Sequence, residues 1–171
     1  MVGGTSILAR ILDALDPRYV AIAANGDPAR FAVHGLPVLP DGDFAGQGPL
    51  AGVLAGLDWG FSIGADALLT VPGDTPFIPR GLAARLSPAP ACAAAGAKIH
   101  YLVALWPVAA RGPLRDHLSR SGRRHVARFA DMIGMRRVDF PPVAWDSFLN
   151  VNTEADLDLA RSRVETIQGL A

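Results

Sequence analysis

The chain has 171 residues, a length that suits one domain with a proper core. Half of it is hydrophobic and 19% is charged, with sixteen basic residues against sixteen acidic ones, so neither general disorder nor a basic nucleic-acid or membrane-surface role is expected. A single cysteine, Cys92, excludes an intramolecular disulfide or a cysteine metal cluster, and no apolar run reaches the ~18 residues a membrane span needs.

The opening stretch, MVGGTSILARIL, has neither a basic segment nor a small-residue cleavage site, and the sequence reads as that of a soluble, cytoplasmic protein. Ile7, Leu8, Ile11, Leu12 and Leu15 recur at helical spacing, with Thr5 or Ser6 available as the cap. YVAIAAN predicts a buried strand ending at Asn25, turned by Gly26, Asp27 and Pro28. LPVLPD predicts a short strand ending at Asp41. GPLAGVLAGLDWGF predicts a helix entered through Pro49, since proline suits the first helical turn.

ADALLTVPGD follows as a strand, its Leu68, Leu69 and Val71 expected to be covered on both faces, with Asp74 just past its end. PRGLAARL predicts a short helix, and PACAAAGA with HYLVALWP a pair of strands turning near Lys98. Cys92 reads as a small core residue. Two short helices broken near Gly122 and the strand MRRVDF come next. A closing helix follows, capped by Thr153, with Asp156 where a capping box carries Glu or Gln. Strands alternating with helices predict one α/β domain over residues 1–171, Rossmann-like, a mostly parallel doubly wound sheet with helices on both faces.

In such a sheet ligands bind outside the carboxyl ends of the strands. Asn25, Asp41 and Asp74 all fall there. Asn25 and Asp41 are also ordinary turn formers, and Asp74 also suits a turn cap. A strand-end carboxylate beside phosphates is a natural Mg²⁺ ligand as well. Gly46, Gly48 and Gly52 allow close approach to a helix N-terminus, whose free N–H groups favour an anion, although close helix packing explains them equally. Neither a P-loop nor a G-x-G-x-x-G dinucleotide motif is present.

AANGDP, GPLAGVLAGL, VPGDTPFIP and FLNVNTEADL, in that order and spacing, resemble the molybdenum cofactor guanylyltransferases, nucleotidyltransferases with a Rossmann-like sheet. The resemblance runs from about Gly3 to the last helix. It implies transfer of GMP from GTP to the terminal phosphate of molybdopterin, with release of pyrophosphate. It implies Asn25, Asp41 and Asp74 on the nucleotide side, Asp74 as the catalytic Mg²⁺ ligand, and Asn150 and Asn152 on the molybdopterin side. Arg123 and Arg124 are further candidates for the acceptor phosphate, or else a solvated helix face. His100 and His125, without metal-ligand spacing, are left as structural or acceptor-side residues.

The family's opening signature, a strand followed by L-A-G-G-x-S-x-R-M-G-x-D-K, is not matched by MVGGTSILARILDAL, where Arg10 falls two places late and no D-K follows. On this reading about twenty residues, the first strand and phosphate loop, are missing from the family pattern. Two alternatives stand beside the guanylyltransferase: a cytidylyltransferase on the same cofactor, and a silent relative that binds molybdopterin and docks on a molybdoenzyme or its chaperone.

Overall fold

The structure, a computed structural model, describes residues 2–15, 17–120, 125–140 and 148–169. Helix α1 spans Ile7–Leu15, and Ser6 Oγ caps it by accepting from the Ala9 N–H at 3.1 Å. Strand β1 (Ile22–Ala23) runs parallel to β2 (Val38–Leu39), with a 3-10 turn over Pro28–His34 between them. Helix α2 (Pro49–Ser62) begins on its proline as expected and leads into β3 (Ala67–Thr70). Helix α3 (Leu82–Leu86), strands β4 (Ala91–Ala95) and β5 (Lys98–Pro107), helices α4 (Arg111–Ser119) and α5 (Val126–Met132), strand β6 (Arg136–Asp139) and helix α6 (Glu154–Gly169) complete the chain.

Among the described residues the strands form a pair, β1–β2, and a four-stranded sheet in the order β3-β5-β4-β6. The α/β class stands, with helices on both faces. Trp106, Ala104 and Cys92 pack towards α2, α4 and α5 through Leu54, Leu57, Leu114, Leu118 and Phe129. Val103, Ala91 and Ala93 point the other way, towards Ile11 of α1, Leu82 and Leu86 of α3, and Phe140. Alternation along β4 and β5 therefore feeds two cores, as the period of two requires.

The expectation of a mostly parallel sheet is corrected for the described strands. β1–β2 and β4–β6 are parallel, whereas β3–β5 and β4–β5 are antiparallel. The cause is local: Gly96, at a φ of 56°, turns β4 straight back into β5, and a tight turn can only join antiparallel strands. β5 then lies between β3 and β4 and opposes both.

A second correction concerns the run expected to be covered on both faces. Leu68, Leu69 and Val71 are half-buried and Ala67 is exposed, because among the described residues nothing pairs with the outer edge of β3.

Glycines at a four-residue period bring α2 down on the strands. A Cβ on Gly52 would lie 3.4 Å from Ala23 Cβ, one on Gly56 would lie 2.8 Å from a Leu68 methyl, and one on Gly60 would lie 3.4 Å from Val108. Cys92 is fully buried, and burial pushes its thiol above the ordinary value, with Arg137 pulling weakly the other way. It is the core residue its apolar setting predicts. No helix of the described residues is long and apolar enough to cross a membrane.

Candidate functional site

Two polar clusters stand at the carboxyl ends of the strands. The first joins the ends of β1 and β2. Asn25 Nδ2 donates to Asp41 Oδ2 at 2.6 Å, and the Asp41 N–H donates back to Asn25 Oδ1 at 3.0 Å. This reciprocal pair uses both ends of the Asn25 amide, so Asn25 braces Asp41. Asp41 Oδ1 lies 3.5 Å from where a Gly52 Cβ would be, against the first turn of α2. A methyl there would meet the carboxylate at ordinary van der Waals distance, so Asp41 sits directly against this turn of the helix.

A cleft of about 190 Å³ opens beside Asp41, lined by Asp43, Phe44, Leu54, Asp58 and Arg115 among others. Its one cation is engaged: Arg115 donates to Asp58 at 2.6 Å, and Arg111 reaches the same carboxylate at 3.3 Å. In the glycine-rich loop ahead of α2, Gln47 Oε1 is buried with no hydrogen-bond partner among the described residues. A buried acceptor in that condition wants a donor.

The second cluster follows β3. Asp74 comes four residues after the last paired residue, Thr70, and is half-buried. Thr75, 1% exposed, places its hydroxyl 3.3 Å from Asp74 Oδ1 and 3.3 Å from Asn150 Oδ1. The Val151 N–H donates to the Asp74 carbonyl at 2.8 Å. GDTPF and NVN, 75 residues apart in the case of Thr75 and Asn150, are thus stitched by side chain and backbone.

Beyond them Asp156 Oδ2 accepts from the N–H groups of Asn152 (3.1 Å) and Thr153 (2.9 Å), and the Thr153 hydroxyl closes the expected capping box. The Asn152 N–H, then the Thr153 hydroxyl and N–H, hold the Asp156 carboxyl below the ordinary range. Asn152 itself is exposed.

The structure therefore joins Asn25 to Asp41, and Asp74 to Asn150 with Asn152 next to them. The hydrogen bonds described within each cluster do not cross to the other. Arg123 and Arg124 lie outside the described residues. His100 is buried, its ring 4.9 Å from that of Phe148, while His125 is exposed at the head of α5. Thr75 and Gln47 were not singled out from sequence. A hydroxyl beside the strand-end aspartate and a lone amide between two glycines are the signals that mark them.

Among the described residues no three acidic, histidine or cysteine side chains gather to form a metal cage. The donor set at Asp74 suits a different kind of site. Mg²⁺ keeps several waters and takes one or two carboxylates plus substrate phosphates, and a half-buried carboxylate at a strand end fits that demand.

The family described as "MobA-like NTP transferase domain" matches residues 1–136. A protein of Acidiphilium cryptum called "Molybdenum cofactor guanylyltransferase" is 55% identical over 143 residues, 84% of this chain and 72% of that protein. One of the same name from Cereibacter sphaeroides is 46% identical over 167 residues, 94% of this chain and 84% of that protein. Among solved structures, "Molybdopterin-guanine dinucleotide biosynthesis protein A" from Archaeoglobus fulgidus superposes with a TM-score of 0.72 at 17% identity, covering 97% of this chain and 89% of that one. A 4-diphosphocytidyl-2C-methyl-D-erythritol synthase from Anaerococcus prevotii gives 0.74 at 11% identity, with 96% and 91% covered. At those identities both show the fold alone.

Proposed function

The chain belongs to the MobA-like NTP transferase family, and from that premise we propose that it is a molybdenum cofactor guanylyltransferase, moving GMP from GTP to the terminal phosphate of molybdopterin and releasing pyrophosphate. The observation that carries the reading is the stitch between Asp74 and Asn150 through the buried Thr75. It holds a carboxylate suited to a phosphate-bound cation beside the loop that the reading gives to the acceptor.

The residues divide the work. Asp41, braced by Asn25 at the first turn of α2, serves the nucleoside side. The bare Gln47 acceptor suits a base with an exocyclic amine donor, a group that guanine shares with adenine and cytosine, so the choice of guanine rests on the family. Asp74 holds Mg²⁺, and Asn150 and Asn152, with Arg123 and Arg124, hold the pterin phosphate. Bound Mg²⁺ supplies charge neutralisation and a template for the phosphate oxygens. The protein's own task is to keep the attacking phosphate oxygen in line with the α-phosphorus while two anionic partners repel each other. GTP and the phosphorylated pterin place this work in the cytoplasm, and the molybdoenzymes and their chaperones downstream of it.

Calorimetric titration with GTP, CTP and ATP, with and without Mg²⁺, tests the reading. Binding of GTP that needs Mg²⁺ and exceeds that of CTP and ATP is the expected result. Preference for CTP, or Mg²⁺-independent binding of all three alike, overturns it.

A further inference from the structure

Strand β5 slips out of phase once. Along β4 the alternation holds, with Ala91, Ala93 and Ala95 towards one core and Cys92 towards the other. On β5 it breaks. Cys92 pairs with Ala104, but the next residue, Ala93, pairs with His100, so Tyr101, Leu102 and Val103 have no counterparts on β4. Adjacent Tyr101 and Leu102 both pack against the core that holds Trp106. Strict alternation would put His100 on the face of Ala104 and Trp106. The bulge transfers it to the face of its partner Ala93, where Phe148 lies.

The bulge is fastened from β3. Thr70, the last residue of that strand, donates its hydroxyl proton to the Leu102 carbonyl at 2.8 Å and accepts from Trp106 Nε1 at 2.8 Å. His100 is 8% exposed, on a face where an aliphatic side chain would cost less to bury. Its ring stands 4.9 Å from that of Phe148, tilted by 49°, and Phe148 meets Phe140 edge-on at 5.2 Å and 86°. Both separations are ones that aromatic pairs favour. Phe148 is thus seated between two rings, one of which the bulge delivers.

We infer that His100 is a positioning residue for the acceptor side of the site: the bulge sets its ring against Phe148, and Phe148 fixes where Asn150 stands beside Asp74. Phe148 is fully buried and precedes Asn150 by two residues. Asn150 Oδ1 lies 3.3 Å from the Thr75 hydroxyl, and the Val151 N–H donates to the Asp74 carbonyl at 2.8 Å. A shift of Phe148 therefore reaches both junctions with the Asp74 segment. Thr70 ties the same bulge to β3, the strand that runs on to Asp74. Both halves of this cluster are thus referenced to one irregularity in one strand. The identity of the acceptor rests on the guanylyltransferase reading; the seat of Phe148 does not.

His100→Ala removes the ring and His100→Phe keeps one. Amide hydrogen exchange is read at Val151, with Leu157, which donates to the Thr153 carbonyl, as reference. His100→Ala should speed Val151 exchange about tenfold relative to Leu157, and His100→Phe should stay within about threefold of the parent chain. In turnover with Mg²⁺, the KM for molybdopterin should rise about tenfold in the Ala variant and recover in the Phe variant, with the KM for GTP within about twofold throughout. Adding Phe148→Leu to His100→Ala should change neither readout further, because His100 acts through that ring. Should His100→Ala fail to fold, His100→Leu, which fills the space without a ring, takes its place. Three results overturn the inference: unchanged Val151 exchange, KM values for GTP and molybdopterin that rise together, or additive effects of the two substitutions. Val151 exchange needs no substrate, so it judges the seat even where the unaltered chain does not use molybdopterin, a failure that belongs to the functional reading alone.

Discussion

Thr75→Val replaces a hydroxyl by a methyl of nearly equal volume at a site 1% exposed. It removes the group that stands 3.3 Å from Asp74 Oδ1 and 3.3 Å from Asn150 Oδ1. The hydroxyl has one proton for two acceptors, and 3.3 Å is beyond the usual 2.5–3.0 Å range for O–H···O. Hydrogen bonds to charged groups contribute about 1.5–3 kcal/mol; the length and the water that reaches half-buried Asp74 reduce this to about 1 kcal/mol. With a urea slope of about 2 kcal/mol/M, the unfolding midpoint should fall by about 0.5 M. Turnover should fall further, on the order of tenfold, because the carboxylate is no longer held over the acceptor loop. Thr75→Ser, which keeps the hydroxyl and loses a methyl worth about 0.8 kcal/mol, should lose similar stability but keep turnover. Equal turnover in the Val and Ser variants would refute the argument that this hydroxyl positions Asp74.

Asp74→Asn should leave the urea midpoint within about 0.2 M and cut turnover by at least 100-fold; activity within a factor of a few would remove Asp74 from the metal role. Asn25→Leu breaks both bonds to Asp41 at an exposed site, so stability should fall by about 1 kcal/mol or less while the GTP dissociation constant rises several-fold by calorimetry. Asp156 has a carboxyl held below its ordinary 3.8, so its stabilisation of α6 is complete above that value and is lost as pH falls through the depressed one. Thermal melts should therefore weaken below about pH 4, and Asp156→Asn should flatten that part of the profile; an unchanged slope would show that the cap does not contribute.

Much of this architecture is written in local signals. Pro49 marks the start of α2, Ser6 caps α1, and Thr153 with Asp156 forms the box predicted from their spacing. The β4–β5 hairpin likewise follows from Gly96 between two apolar runs. What was not legible depends on partners distant in the chain. An apolar run such as Leu68–Val71 reads alike whether it has neighbours on both sides or one, so the half-burial of β3 had no local signature. The antiparallel placement of β5 beside β3 is another such case, a choice of neighbour that periodicity does not encode. In the site, the strand-end positions of Asn25, Asp41 and Asp74 were visible as polar endings of apolar runs. The reciprocal bonding of Asn25 to Asp41, and the bridge from Thr75 to Asn150, required the fold.

The glycine stripe of α2 makes the helix a ruler. One contact sets the end of β1, from which Asn25 and Asp41 depart, and the next, a turn away, sets β3, from which the chain runs on to Asp74. Helical pitch, about 5.4 Å per turn, governs that offset where loop length would otherwise do so. A residue inserted in the loop after β2 can bulge into solvent. Inserted between Gly52 and Gly56, it would rotate the later contacts by about 100° and advance them by about 1.5 Å. Length variation should therefore be tolerated on either side of this helix and excluded within it.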